Sequence, residues 1–298
     1  MTVAIGIVIV LASVFLGYVS HGGNMGILFQ PAEFLIIGGA AFGSMVVATP
    51  STVLKQLAGQ LGALSKGGAT RKDYVDLLTM LYNLFRQAQQ SGVMALETHA
   101  ENPKSSPILS AYPRFLNRHG APEFLCDSLK VMIMGGVSPH DFEALMEQDV
   151  ETHHSDVVRA SQAMARVADA LPGLGIVAAV LGIVITMGHI DGEPAEIGHS
   201  VAVALIGTFL GVFGAYGFIG PLANALENGS NDSTKYLECI KTGLLAAHKG
   251  MPPAIAIEFA RRVLPDEVRP SFEATEKACR GARAAAAAST AAASTAAA

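Results

Sequence analysis

The side chains of this 298-residue chain with the greatest chemical reach lie in or beside long apolar runs. Glu33 is the only formally charged residue between Met1 and Leu54, and residues 170–190 and 197–226 contain no Asp, Glu, Lys or Arg. The polar groups left in those last two runs are chiefly hydroxyls: Thr186, Thr208 and Tyr216. A hydroxyl donates and accepts hydrogen bonds but does not store a proton near neutral pH. A self-sufficient ion carrier needs a titratable or charged group at depth, and Glu33 falls near the outer end of its run. If ions cross here, the carboxylate that carries them is expected from another chain. If nothing crosses, the chain is a structural membrane subunit.

Two prolines, Pro172 and Pro221, flank the charge-free runs on one side. On composition alone they read as a first-turn helix proline, whose missing N–H costs nothing, and as a helix terminator. Other chemistry is poorly supplied. His153 and His154 are adjacent on an expected helix and project apart, against a metal pair. Cys126, Cys239 and Cys279 have neither CxxC nor Cys/His ligand spacing, which leaves no disulfide framework or zinc site. Gly173-Leu174-Gly175 follows no strand and is no nucleotide fingerprint. Neither a Ser/His/Asp set nor paired carboxylates stand at useful spacing. No enzyme, cofactor or metal is expected.

The elements that must position these groups follow from composition. Charged residues are 15%, against about 25% in soluble domains. So few charges cannot clothe a globular surface of this size. With a net charge of −5 there is no electrostatic case for nucleic acid. A spanning helix needs about 20 mostly apolar residues. Residues 3–19, 34–48 (extended a little at each end), 172–189 and 200–220 meet that need. Residues 51–170 hold eleven Lys and Arg, and residues 222–298 hold the other nine of twenty. The intervening loops at 20–32 and 190–198 (the latter with Asp191, Glu193 and Glu196) have none, so both termini and the large segment are expected to be cytoplasmic. The start lacks the basic region and cleavage site of a removed signal peptide, so the first span is expected to stay.

The fold class is therefore all-α: a polytopic membrane protein with four transmembrane helices and a helical cytoplasmic domain between spans two and three. The expected domains are 1–50 (spans one and two), 51–170 (cytoplasmic), 171–222 (spans three and four), 223–280 (cytoplasmic, helical) and a low-complexity Ala/Ser/Thr tail at 281–298. Within 71–97, Leu77, Leu78, Leu81, Leu84 and Phe85 form one apolar helical stripe, with Lys72, Asp73, Asp76, Arg86, Gln89 and Gln90 opposite. A helix is expected over 122–134, stopped by Gly135-Gly136. Ser138-Pro139-His140-Asp141 looks like a cap for another that runs toward span three and is interrupted only at Pro172. Gly39/Gly43 and Gly207/Gly211 have the spacing of close helix packing, within one chain or between subunits.

Several stretches together resemble the MotA family, the larger membrane subunit of the bacterial flagellar stator. They are residues 29–40 (FQPAEFLIIGGA), Leu96-Glu97 with Glu101-Asn102-Pro103, Tyr112-Pro113, residues 172–182 (PGLGIVAAVLG), Gly207-Thr208-Phe209-Leu210-Gly211 and residues 216–222 (YGFIGPL). The resemblance implies a subunit of the bacterial inner membrane that forms a ring, in family members a pentamer, around a dimer of a MotB-type partner. That partner would supply the ion-carrying aspartate. Pro172 and Pro221 match two prolines near the inner end of the ion path. Ala179 stands where sodium-driven relatives place a threonine, and a methyl group offers no oxygen to replace the hydration shell of Na⁺, which favours protons. Thr208 matches a hydroxyl position of both kinds. Glu97 matches the acidic member of a charged pair that engages the rotor protein FliG, and Asp149 matches a further acidic position. Gln89 falls where the family has a basic residue. Either Arg86, one turn earlier, supplies that charge, or the motor relies on other contacts. The related ExbB/TolQ energisers have one span fewer, and two apolar runs before the cytoplasmic segment count against them. A self-contained secondary transporter is opposed by the missing membrane charges.

Overall fold

The computed structural model describes residues 2–64, 67–188, 193–282 and 284. The expected tail from 285 on, and Asp191 in the acidic loop, lie outside the described residues. Those that are described form helices and turns with no strand among them: α1 (Thr2–Ser20), α2 (Met25–Leu28), α3 (Pro31–Ala48), α4 (Ser51–Ala63), α5 (Arg71–Ser91), α6 (Glu97–Glu101), α7 (Pro113–Leu116), α8 (Ala121–Met134), α9 (Pro139–Met187), α10 (Pro194–Gly214), α11 (Gly220–His248) and α12 (Pro253–Arg262). Four helical stretches are long and apolar enough to cross a membrane: Val3–Ser20, Met25–Ala48, Pro139–Met187 and Pro194–His248. The four-span fold class stands.

The chain divides into two compact units, Met1–Gly67 with Asp156–Ser230, and Gly68–Ser155 with Asn231–Ala298. The first unit holds the apolar runs. Its lipid-type exposure is plain: Leu35 is 75% and Val47 91% exposed, as befits helices whose solvent is hydrocarbon. Alanines and larger aliphatic side chains share its interior, with Ile37, Ala41, Leu171, Ala178 and Ala215 buried together and Leu57, Ala160, Met164, Ala223 and Leu226 in a second cluster. Phe213 joins α1 to α10. It lies edge-on to Phe15 at 6.1 Å and to Phe218 at 5.0 Å, and stacks on Phe209 at 5.3 Å.

The second unit is a water-type core. The α5 stripe is buried as expected, with Leu77, Leu78, Leu81 and Leu84 at 1% exposure or less; each such side chain contributes roughly 1.5–3 kcal/mol of burial. The polar side of α5 is less solvated than its sequence implies. Asp73 closes a capping box with Thr70 and pairs with Arg114 at 2.8 Å. Burial pushes the Asp73 carboxyl up, but hydrogen bonds from Arg114 and Thr70 outweigh it and hold the group below its ordinary range. Tyr74 and Tyr236 pack at 5.5 Å, with the Arg118 guanidinium 4.1 Å over the Tyr236 ring. His153 and His154 bond separately to Ser233 and Thr234 of α11, each at 3.0 Å.

Three expectations need correcting. The helix expected over 71–97 stops at Ser91, because Gly92 takes φ +82 and ψ 162, outside helical space. Pro172 neither starts nor interrupts a helix: α9 runs 49 residues through it, from a cap in which Ser138 Oγ accepts from Asp141 N at 3.1 Å. Pro221 terminates nothing. A π-helical turn at Ala215–Ile219 joins α10 to α11, and Gly220 N–H donates to Ala215 O five residues back. That one-residue slip in the ladder, just ahead of the proline, is how the backbone passes a residue with no N–H to give.

Candidate functional site

Spans three and four meet along a seam of missing side chains. A Cβ on Gly175 would lie 2.8 Å from Gly207 O and 3.0 Å from Gly211 Cα, and one on Gly211 would lie 2.6 Å from Leu171 O. These are backbone-to-backbone approaches that only glycine allows. The Gly207/Gly211 pair therefore serves packing within the chain. Gly39 and Gly43 differ, since a Cβ on either would meet nothing within 4 Å.

The seam brings together the residues singled out from sequence. Ala178 and Ala179 are 0% and 7% exposed, and both sit against Gly207, next to Thr208. Toward the other end, the turn before Pro172 packs on the segment before Pro221. Leu171 reaches Gly211 and Gly214, and the Ala168 methyl lies 4.0 Å from where a Gly220 Cβ would stand. The two prolines thus mark the same level of two adjoining helices, each without one backbone donor. Thr186 donates its hydroxyl proton to Gly182 O at 2.9 Å, one turn back in its own helix. Tyr216 is 75% exposed and outside the seam.

Glu33 is where sequence position misleads. It is the third residue of α3, yet it is only 5% exposed, and its Oε2 lies 2.9 Å from where a Gly207 Cβ would stand. Gly207 packs on Ala178 and Ala179, eight or nine residues before the end of α9 at Met187. At 1.5 Å per residue that is roughly 13 Å along the helix. The carboxyl sits inside the seam, not at its outer rim.

The second unit carries the four polar and charged residues matched to rotor contact. Glu97, Gln89 and Asp149 are exposed and Arg86 is half-buried; among the described residues no ion pair engages Glu97, Asp149 or Arg86. Glu97 opens α6, a short helix off the end of α5, so the segment after Gly92 must be held by other means. A one-way chain of hydrogen bonds does this. Gln87 Nε2 donates to Ala95 O (3.1 Å), which turns Gln87 Oε1 toward His99 Nε2 (2.9 Å). The Ser106 hydroxyl reaches His99 Nδ1 at 2.6 Å and accepts from Leu109 N at 3.0 Å. The direction of donation selects the neutral Nε2–H tautomer. His99 is 1% exposed, and sequence reasoning did not find it. No periodicity marks a polar residue buried by a turn.

Burial holds the His99 imidazole below its ordinary 6.5. The unfolded chain then binds more protons than the folded one, so the site's contribution is present above about pH 6.5 and is lost as the pH falls from there through the lower folded value. Lowering the pH from about 7.5 to 5.5 across that range should speed hydrogen exchange at residues 93–109 beyond the intrinsic change. His99→Gln should flatten that dependence, and an equal pH response in the variant would clear His99 of the role.

Proteins of known role resemble this chain along most of its length. Residues 4–92 match the family model described as motility protein A N-terminal, and residues 117–239 match the MotA/TolQ/ExbB proton channel family. The chain is 40% identical over 284 residues to motility protein A of Salmonella typhimurium, covering 95% of this chain and 96% of that one. It is likewise 40% identical over 274 residues to the chemotaxis protein LafT of Vibrio parahaemolyticus, 92% and 96% covered. Its fold is that of the solved MotAB of C. jejuni (TM-score 0.75, 21% identity, 91% and 98% covered) and of the flagellar MotAB stator complex of Bacillus subtilis (TM-score 0.72, 24% identity, 89% and 96% covered).

Proposed function

Because the chain belongs to the motility protein A family of the MotA/TolQ/ExbB proton channels, we propose an assignment of its residues to the work of that family. It is a proton-conducting stator subunit of the bacterial flagellar motor, a multi-pass inner-membrane protein and not an enzyme. Its partner is a MotB-type subunit, with which it assembles as an oligomer. Five copies form the ring, and both termini are cytoplasmic.

The proposed ion path runs along the seam of spans three and four, at the level of Ala179 and Thr208. The observation that carries this reading is the composition of those spans. With no Asp, Glu, Lys or Arg at 170–190 or 197–226, they can shape a path but cannot carry charge along it. The partner's aspartate is the carrier. The methyl group of Ala179 gives Na⁺ no ligand, which supports protons as the working ion. Protonation of the partner's aspartate moves the helices at the level of Pro172 and Pro221, where both ladders lack a donor. The membrane pairs are 1–50 and 171–222. The domain at 51–170 carries torque, 223–280 completes the cytoplasmic part, and 281–298 is a tail. Glu97, Arg86, Gln89 and Asp149 face the rotor protein FliG, with Arg86 supplying the positive charge that Gln89 lacks. Each exposed pair is worth only about 0–1 kcal/mol, so rotor contact is spread over several.

In cells driven by this subunit and its partner, a protonophore should stop swimming, and replacing external sodium by potassium should leave speed unchanged. The reverse outcome would overturn the argument from Ala179.

A further inference from the structure

Glu33 has a place in the seam that the ion path described above leaves unused. It is the one Asp, Glu, Lys or Arg in the four apolar runs. Its side chain is 5% exposed, and Oε2 is buried with no hydrogen-bond partner among the described residues. A buried polar group costs free energy unless it is paired, so an unpaired one at depth needs a reason. The geometry around it offers that reason. Gly207 has no Cβ where one would lie 2.9 Å from Oε2, and the same vacant direction closes on Ala178 Cβ and Ala179 N at 3.1 Å each. The carboxyl group therefore points at the backbone of span four where it crosses Ala178–Ala179 of span three, beside Thr208. Of the groups that meet there, only this one can take up a proton and give it back. Thr208 has a hydroxyl and Ala179 a methyl.

We propose that Glu33 is a proton-exchange group of the ion path, standing between the outside and the partner's carboxylate; this rests on the proton-conducting reading above. A proton arriving from the outer side bonds to a Glu33 carboxylate oxygen. That O–H bond then breaks as the proton passes, directly or through water, to the carboxylate of the MotB-type subunit, and Glu33 returns to the anion. No other reactant is needed. Glu33 thereby sets the external pH range over which the path loads.

The test uses the full complex of this subunit with its MotB-type partner, reconstituted in liposomes, with proton flux measured against external pH. Glu33→Gln keeps the shape and removes the titration. It should lower flux by about a hundredfold, the low end of what a positioned proton-transfer group contributes, and abolish the part of the pH profile that Glu33→Asp keeps in shifted form. Loss of flux in both variants with the profile of the wild type would make Glu33 a packing residue and overturn the proposal, as would wild-type flux and profile in Glu33→Gln. A wild-type complex that passes no protons would remove the proton-conducting reading, and this inference with it. A conducting wild type beside an unaltered Glu33→Gln complex removes this inference alone.

Discussion

Pro172→Leu should leave the subunit inserted and at normal abundance while reducing motility at least tenfold. The reason lies in the backbone. Inside α9 the proline withholds a donor from Ala168 O, and its neighbour Leu171 bears on Gly211 of the next span. On that span the ladder slips through the π turn at Ala215–Ile219 immediately before Pro221. Both helices are weakened at one level, which is where paired helices bend most cheaply. A proline in a helix interior costs about 3 kcal/mol. Leucine returns the N–H, and the straight form gains much of that amount. Since about 1.4 kcal/mol is a factor of ten in population, a bent form of the kind the proposed cycle requires would be depleted at least that far. Swimming at normal speed in the variant would take Pro172 out of the mechanism, and loss of the protein from the membrane would make it a folding residue instead.

How much of the fold is legible in the sequence depends on how local each signal is. The spans were legible because a charge-free run of sufficient length has few other uses, and the α5 stripe because its period repeats within a few turns. The end of α5 at Gly92 carried a local signal, a glycine, but the leucine pattern on both sides outweighed it. The unbroken course of α9 through Pro172 was not legible. A proline in isolation predicts interruption, and it takes the packing of Leu171 on Gly211 to hold the turn. The π turn leaves no trace in hydrophobic period. Glu33 shows the limit most clearly. Its place in the sequence says how far it is from the start of its own helix, whereas its chemistry depends on how far along the neighbouring helices it arrives. Of the residues proposed to face the rotor, exposure of Glu97, Gln89 and Asp149 was legible as surface charge and polarity, but the His99 chain behind Glu97 links residues from 87 to 109 and needs the fold to be seen.

Gly211→Ala tests the seam itself, and a single methyl group should suffice to open it. The new Cβ would stand 2.6 Å from Leu171 O, 2.8 Å from Gly175 Cα and 3.0 Å from Gly175 N. All three are backbone atoms, so no rotamer change relieves the contact, and one helix must move off the other. Overpacking of this kind costs about 1–3 kcal/mol even where side chains share the strain, and here they cannot. The expected result is a clear drop in the thermal midpoint of the purified complex and loss of most motility. Gly59→Ala is the control. It lies mid-helix in α4 with nothing within 4 Å of its new methyl, and should be neutral or stabilising by up to about 1 kcal/mol. If Gly211→Ala melted and swam like the wild type, spans three and four would not need their close approach, and a path formed between them at Ala179 and Thr208 would lose its walls.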